Sequence, residues 1–161
     1  MPELRKDAVT DTWVIIASER GKRPLDFARV PEVKKGGVCP FCPGNEEKTP
    51  PEVLAYRPGG GPSDSPGWTV RVVPNKFPAL RIEGDLEEKP GGLHPHMNGV
   101  GAHEVIIESP DHDASPGKEY PGQVAETLRA IRDRYQDLRG DRRFKYIQLS
   151  LIHISEPTRP Y

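Results

Sequence analysis

Residues 123–138, QVAETLRAIRDRYQDL, form the most regular stretch of the chain. Apolar side chains recur there at spacings of three and four, with arginine and aspartate between them: Val124, Leu128, Ile131, Tyr135 and Leu138. This spacing puts the apolar side chains on one face of a helix. The sequence therefore predicts one long amphipathic helix.

Short runs rich in β-branched residues surround this helix in the sequence. Residues 13–17 (WVIIA) follow a turn-forming Thr-Asp-Thr and predict a buried strand, and residues 68–73 (WTVRVV) and 102–108 (AHEVIIE) predict two more. Residues 144–149 (FKYIQL) alternate in polarity and predict a strand after the helix. Strands followed by a helix and a further strand indicate an α+β domain with a mainly antiparallel sheet.

Glycine and proline are frequent, with 16 and 19 residues, which excludes an all-helical bundle. They concentrate in residues 58–66 and 83–101, and we interpret both segments as loops. The second loop contains His94-Pro95-His96. Because no helix or strand is predicted to support that motif, we interpret it as solvent-exposed.

The overall composition limits the classes of partner. The chain has 161 residues, enough for one domain with a hydrophobic core, and a formal net charge of −1. A net charge so close to zero predicts no general attraction to nucleic acid or to an anionic membrane. No apolar stretch approaches the roughly 20 residues of a membrane-spanning helix. These properties predict a soluble, cytoplasmic protein that acts on a small molecule or another protein.

The two cysteines, Cys39 and Cys42, lie in a CPFC motif within residues 25–51, which show no regular periodicity. Two cysteines so close together cannot form a disulfide framework, but they can direct two thiolates at one metal ion such as zinc. On these residues alone, a redox dithiol and two inert thiols remain alternatives. Further ligands would come from carboxylates or from the histidines at 94, 96, 103, 112 and 153.

His112 stands out among these histidines because Pro110 and Asp111 fix it in a short turn at the end of a predicted strand. Asp111 or Asp113 could also accept a hydrogen bond from its imidazole. A surface histidine in a polar turn is the alternative. The sequence therefore proposes His112 as a third ligand candidate without deciding its role.

Residues 19–24 (ERGKRP) leave the first predicted strand and are basic. Arginine matches phosphate oxygens with two parallel hydrogen bonds, so Arg20 and Arg23 are candidate phosphate contacts. From composition alone, a solvated surface loop is the favoured interpretation.

Taken together, several segments resemble the galactose-1-phosphate uridylyltransferase family, a branch of the histidine-triad superfamily. The resemblance covers about residues 3–149 and implies an N-terminal, histidine-triad-like half-domain. The matching segments are LRKD (4–7), WVII (13–16), ERGKRP (19–24), CPFCPGNE (39–46), TPPE (49–52), VVPNKFPAL (72–80), GAHEV (101–105), SPDH (109–112) and RRFKYIQ (142–148).

The resemblance also implies roles for individual residues. In zinc-bearing members, the positions that match Cys39, Cys42 and His112 are metal ligands. The positions that match Arg20, Arg23 and Asn75 lie at the nucleotide site. The resemblance thus implies a zinc cofactor and a bound nucleotide.

The implied reaction is a two-step transfer between UDP-glucose and galactose 1-phosphate. A histidine attacks the α-phosphorus of UDP-glucose and releases glucose 1-phosphate, and the uridylyl-histidine then passes UMP to galactose 1-phosphate. Alternatives are an adenylyl-transferring or dinucleoside-polyphosphate phosphorylase relative, and a non-catalytic zinc-binding module. The full-length enzyme could be a homodimer.

The chain departs from the family after residue 149. The family's nucleophile and fourth zinc ligand belong to a His-Pro-His-Gln-type motif that should follow, whereas residues 150–161 (SLIHISEPTRPY) resemble no part of it. We therefore expect residues 1–149 to be a truncated uridylyltransferase domain and residues 150–161 to be a non-native tail. His94-Pro95-His96 precedes Ser109-Pro110-Asp111-His112 and is not the nucleophile, and His153 has no role. We expect this chain to lack a catalytic histidine.

Overall fold

The computed structural model describes residues 2–18, 38–90, 92 and 94–150. Arg20, Arg23 and residues 151–161 of the predicted tail lie outside them. In chain order the strands and the α-helix are β1 (Glu3–Lys6), β2 (Trp13–Ile16), β3 (Leu54–Tyr56), β4 (Val70–Pro74), β5 (Glu88–Lys89), β6 (His96–Asn98), β7 (Glu104–Ile107) and α1 (Pro121–Arg139). The strands form two sheets, ordered β2-β1-β6-β5 and β3-β4-β7. Every pairing between these strands is antiparallel, so the predicted α+β class is confirmed.

β2 corrects one prediction. The strand forms as expected and pairs with β1 from Lys6↔Trp13 to Glu3↔Ile16. It is not buried, however, because its four side chains, from Trp13 to Ile16, are between 37% and 46% exposed. β2 lies at the edge of its sheet, and an edge strand can be apolar without having both faces covered.

The segment predicted as a loop at residues 83–101 contains two short strands, so that prediction is wrong. His96 belongs to β6, where it pairs with Arg5 on one side and Lys89 on the other. The backbone N–H of Lys6 also donates to the Pro95 carbonyl at 2.9 Å. Pairing with β1, which is remote in sequence, stabilises a segment that has little strand character of its own.

The second sheet contains most of the hydrophobic core. Val70, Val72 and Val73 of β4 are at most 1% exposed, and Val73 packs with Trp68 and Ile107. The strands predicted at residues 68–73 and 102–108 are confirmed with slightly different bounds. β4 is central in its sheet, so β3 and β7 pair with both of its edges, and the burial of four consecutive residues from Val70 to Val73 means that both of its faces are covered.

The predicted helix is confirmed and begins at Pro121. Proline has no backbone N–H, but the N–H groups of the first turn have no acceptor within the helix, so no hydrogen bond is lost there. Its most buried residues are Gln123, Thr127 and Ala130, whereas Leu128 is 60% exposed. The Gln123 amide donates to the carbonyls of Thr69 (2.8 Å) and Glu108 (2.5 Å), which ties the helix to the sheet. No helix in the described part of the chain is long and apolar enough to cross a membrane.

The strand predicted at residues 144–149 is wrong, because this segment has no regular secondary structure. After α1 the chain turns at Asp141, whose carbonyl accepts the Phe144 N–H at 3.1 Å. Tyr146 and Leu149 are 78% and 56% exposed. Alternating polarity is not sufficient for a strand to form, because a neighbouring strand must also supply hydrogen bonds. Within the described residues, no strand pairs with this segment.

Candidate metal centre and nucleotide-site residues

Cys39, Cys42 and His112 converge, with one ligand atom from each lying within 4.8 Å of the others. The Cys42 Sγ is 3.3 Å from the His112 Nδ1, although the two residues are 70 positions apart in the sequence. Zinc binds sulfur at about 2.3 Å and histidine nitrogen at about 2.0 Å, which places tetrahedral S and N ligands about 3.5 Å apart. The donor atoms and their spacing therefore fit zinc. This is the one such group of three in the part of the chain that the structure describes.

A compact turn carries the two cysteines. The Cys42 N–H donates to the Cys39 carbonyl (3.4 Å), and the Asn45 N–H donates to the Cys42 carbonyl (3.2 Å). The Asn45 side-chain amide also donates a hydrogen bond to the Cys39 carbonyl, at 2.9 Å. Gly44 has a φ of +86°, a conformation that residues with a Cβ rarely adopt. Backbone and side-chain bonds thus hold both thiols in one turn.

Glu46 connects this turn to the hydrophobic core. Its side chain is 5% exposed and accepts the Gly44 N–H on Oε2 at 2.9 Å. The other oxygen, Oε1, accepts the indole N–H of Trp68 at 2.9 Å. Trp68 belongs to the core cluster of the second sheet, so the cysteine turn is attached to the most buried part of the protein.

His112 lies in a turn five residues after the end of β7. The Ser109 hydroxyl accepts the Asp111 N–H at 3.2 Å, and the Asp111 carboxylate accepts the Asp113 N–H at 3.0 Å. Such side-chain-to-backbone bonds stabilise short turns. The Asp111 carboxylate therefore closes the turn that presents the imidazole.

The pKa of the Cys42 thiol is raised by its partial burial and by the neighbouring Cys39 thiol, with smaller contributions from Asp111 and Asp113. Each of these disfavours a negative charge on the sulfur. A divalent cation would have the opposite effect, because thiolates are the ligands that zinc binds. Metal binding here would release protons and weaken as the pH falls.

Asn75 lies at the other end of β7 from His112. It follows β4, and its N–H donates to the His103 carbonyl at 2.7 Å. The Asn75 Oδ1 accepts the Phe77 N–H (2.8 Å), and its Nδ2 is 3.2 Å from the His103 Nε2. The His103 Nδ1 accepts the Ala79 N–H at 2.9 Å, so the imidazole joins both sides of this turn. The structure thus fixes the Asn75 side chain beside the residue that precedes β7, whereas His112 follows the end of that strand.

A group of charges, which we call the ionic clamp, consists of the buried side chains of Glu52, Arg57 and Arg71 and the more exposed Asp64. Arg57 forms two hydrogen bonds with the Glu52 carboxylate, at 2.6 and 2.8 Å. Arg71, 1% exposed, donates to Glu52 at 2.8 Å and to Asp64 at 2.7 Å. No sequence pattern predicts this group. The only signal was a charged residue inside the β-branched run of residues 68–73.

The ionic clamp shifts the titration of its central carboxylate. Burial alone would raise the pKa of Glu52, but hydrogen bonds from Arg57 and Arg71 lower it to about 2. Glu52 and Arg57 also line an open polar cavity of about 290 Å³. Two arginines and two carboxylates balance each other, so the clamp carries no net charge that would attract an ionic ligand.

Comparisons with known proteins agree with the resemblance found in the sequence. The chain is 35% identical over 153 residues to an ADP-glucose phosphorylase of Arabidopsis thaliana, covering 92% of this chain and 42% of the relative. It is 27% identical over 149 residues to a galactose-1-phosphate uridylyltransferase of Thermotoga maritima, covering 91% and 39%. The chain thus spans less than half the length of either relative. No protein-family model matches it.

A solved structure supports the same relationship. The crystal structure of an Arabidopsis thaliana ADP-glucose phosphorylase with bound ADP-glucose matches this chain with a TM-score of 0.52 and 32% sequence identity. The match covers 91% of this chain and 41% of that chain. The predicted relationship and the α+β fold are both confirmed.

Proposed function

We propose that this chain, a homologue of galactose-1-phosphate uridylyltransferase and ADP-glucose phosphorylase, forms the metal-holding part of a nucleotidyl-transferring enzyme. The substrate class is a nucleoside diphosphate glucose. The observation that carries the proposal is the group of Cys39, Cys42 and His112 on a fold shared with these relatives.

The metal would be zinc, held by Cys39, Cys42 and His112. Two thiolates and one imidazole suit zinc, and structural zinc sites usually have four protein ligands. When bound, the ion would join the cysteine turn to the turn after β7. Because the described residues supply three ligands, we propose that zinc is held more weakly than in a closed four-ligand site.

ADP-glucose and inorganic phosphate are the first candidate substrates. The relative at 35% identity is an ADP-glucose phosphorylase, and a matching solved structure contains ADP-glucose. In the proposed transfer, the bond between the α-phosphorus and the glucose 1-phosphate oxygen breaks. A bond from the α-phosphorus to a phosphate oxygen forms, which yields ADP and glucose 1-phosphate.

UDP-glucose with galactose 1-phosphate as acceptor is the second candidate. The sequence motifs and the match at 27% identity to a galactose-1-phosphate uridylyltransferase favour it. In either case we propose that Arg20, Arg23 and Asn75 contact the nucleotide or its phosphates. Asn75 would suit this role because hydrogen bonds to Phe77 and His103 restrict its side chain.

Calorimetric titration of the zinc-loaded chain with ADP-glucose and UDP-glucose tests the substrate class. We expect measurable binding, tighter for ADP-glucose, and about tenfold weaker binding for Asn75→Ala because one charge-assisted contact is lost. Asn98→Ala, on β6, serves as the matched control. Absence of binding by both nucleotide sugars would contradict the proposal.

Metal analysis after gel filtration tests the zinc site. We expect less than one zinc ion per chain without added metal, because three ligands leave the tetrahedral shell open. A tightly bound, equimolar ion would instead reveal a fourth ligand from this chain. Absence of any binding to added zinc would disprove the site.

A further inference from the structure

We propose that Glu46 is a positioning residue of the metal centre, which fixes the turn carrying Cys39 and Cys42 to the hydrophobic core and thereby sets the metal affinity. The proposal rests on the metal-binding part of the proposed function. No role in the transfer reaction accounts for Glu46, yet its side chain is 5% exposed.

The two oxygens of Glu46 serve two different parts of the protein. Oε2 accepts the N–H of Gly44, two residues after Cys42, and Oε1 accepts the indole N–H of Trp68, both at 2.9 Å. Burying a carboxylate is costly unless its oxygens are hydrogen-bonded. The described contacts give each oxygen one donor, so the carboxylate bridges the turn and the core.

Only a carboxylate can make both contacts. A glutamine of the same shape has one oxygen and one amide nitrogen, so it can accept from Gly44 or from Trp68 but not from both. With either orientation, a buried N–H would face another N–H. The adjacent Glu47 differs, since its side chain is 70% exposed and is 3.9 Å from the Lys48 ammonium.

Fixing the turn in advance favours metal binding. The conformational entropy of ordering the turn is then lost when the protein folds and not when the ion binds. Groups that orient metal ligands typically change metal affinity by 10- to 100-fold. Loss of the Glu46 bridge should therefore weaken metal binding while the ligands themselves remain unchanged.

Titration with Co²⁺, followed by the thiolate-to-cobalt charge-transfer absorption, tests the proposal in the full chain. We expect Glu46→Gln to bind Co²⁺ about tenfold more weakly than the original chain, with an unchanged band shape because the same three ligands are used. The matched control, Glu47→Gln, should bind like the original chain. A merely structural role would lower the unfolding midpoint in chelator without changing the cobalt affinity of the folded protein.

Trp68→Phe is the second variant, because it keeps an aromatic ring in the core and removes the indole N–H that Glu46 accepts. If Glu46→Gln does not fold, Trp68→Phe alone should show the weakened cobalt binding. Cobalt affinities equal to that of Glu47→Gln in the folded variants would overturn the inference. Failure of the original chain to bind Co²⁺ would contradict the metal site itself, so the two failures are distinguishable.

Discussion

The ionic clamp follows the two cysteines of the metal centre closely in sequence, but the two groups differ in how their polar atoms are used. In the clamp, Arg71 is 1% exposed and pairs with two carboxylates of the same chain. In the metal centre, two thiols and the exposed imidazole of His112 converge within 4.8 Å. In the clamp, each charged side chain pairs with an opposite charge of the same protein. In the metal centre, the donor atoms lie close enough together to bind one cation.

This difference separates a stabilising group from a binding group. Charge and burial alone would suggest that the clamp is the functional site, since buried ionisable residues often mark one. Its charges are balanced by partners in the chain, so it has little capacity for a ligand. The metal centre is less buried, and its atoms fit the coordination of zinc. The two regions should therefore respond to different experiments.

The largest expected effect is on the clamp. Arg71→Met leaves the buried Glu52 carboxylate without one of its partners, and breaking a buried ion pair on one side costs about 3–5 kcal/mol. Urea unfolding measures the loss. The control is Arg5→Met, whose side chain is 57% exposed beside Glu3 and should change stability by less than about 1 kcal/mol. Equal effects of the two variants would show that Arg71 stabilises the protein no more than a surface arginine does.

A substitution in the metal centre should lower the metal affinity and leave the stability of the metal-free protein almost unchanged. Cys42→Ser replaces a thiolate ligand, and we expect its zinc affinity to fall by about a hundredfold, or about 2.7 kcal/mol. Competition with a chromophoric chelator measures this affinity. Urea unfolding in the presence of chelator should differ from that of the original chain by less than about 0.5 kcal/mol. A loss as large as that of Arg71→Met would show that Cys42 stabilises the fold without metal.

Acid should act on the clamp through Glu52. Because its folded-state pKa is about 2, below the ordinary value of 4.5, its contribution to stability is complete above pH 4.5 and is lost as the pH falls towards 2. We expect a loss on the order of 2 kcal/mol, since water in the adjacent cavity screens the ion pairs. Urea unfolding between pH 5 and pH 2.5 measures it, and Glu52→Gln should reduce the pH dependence.

The smallest expected effect on stability comes from Gln123, which is buried but uncharged. It tests whether charge or burial determines the cost of a substitution. Gln123→Met removes two hydrogen bonds to the carbonyls of Thr69 and Glu108, which should cost about 1–2 kcal/mol. Gln136→Met, on the exposed side of α1, is the control and should be nearly neutral. A cost as large as that of Arg71→Met would mean that burial, and not charge, accounts for the strength of the clamp.

The sequence predicted those elements of the fold whose signal is local. The helix over residues 121–139 was recognised because apolar residues at helical spacing need no information from elsewhere in the chain. β6 was missed because it depends on pairing with β1, about 90 residues earlier. The strand predicted at residues 144–149 fails for the same reason, since alternation does not reveal whether a partner strand exists. The exposure of β2 likewise depends on its position at the sheet edge.

The candidate site was predictable in part. The resemblance to a known family named Cys39, Cys42 and His112 together, and the structure brings these residues into one group. Composition and spacing alone left the partner of the cysteines undecided. Glu46 and the ionic clamp were not predicted, because a charged residue normally indicates a solvated surface. Only tertiary contacts reveal that a carboxylate such as Glu46 is buried against Trp68.

The 70-residue separation between Cys42 and His112 has a consequence for folding kinetics. A metal ion bound to both would close a long chain loop, and closing that loop costs conformational entropy. Contacts between residues so distant in sequence form late in folding, because the loop must close before they contribute. The ion would therefore slow unfolding far more than it speeds folding. The lifetime of the native state would then depend on metal concentration even where its rate of formation does not.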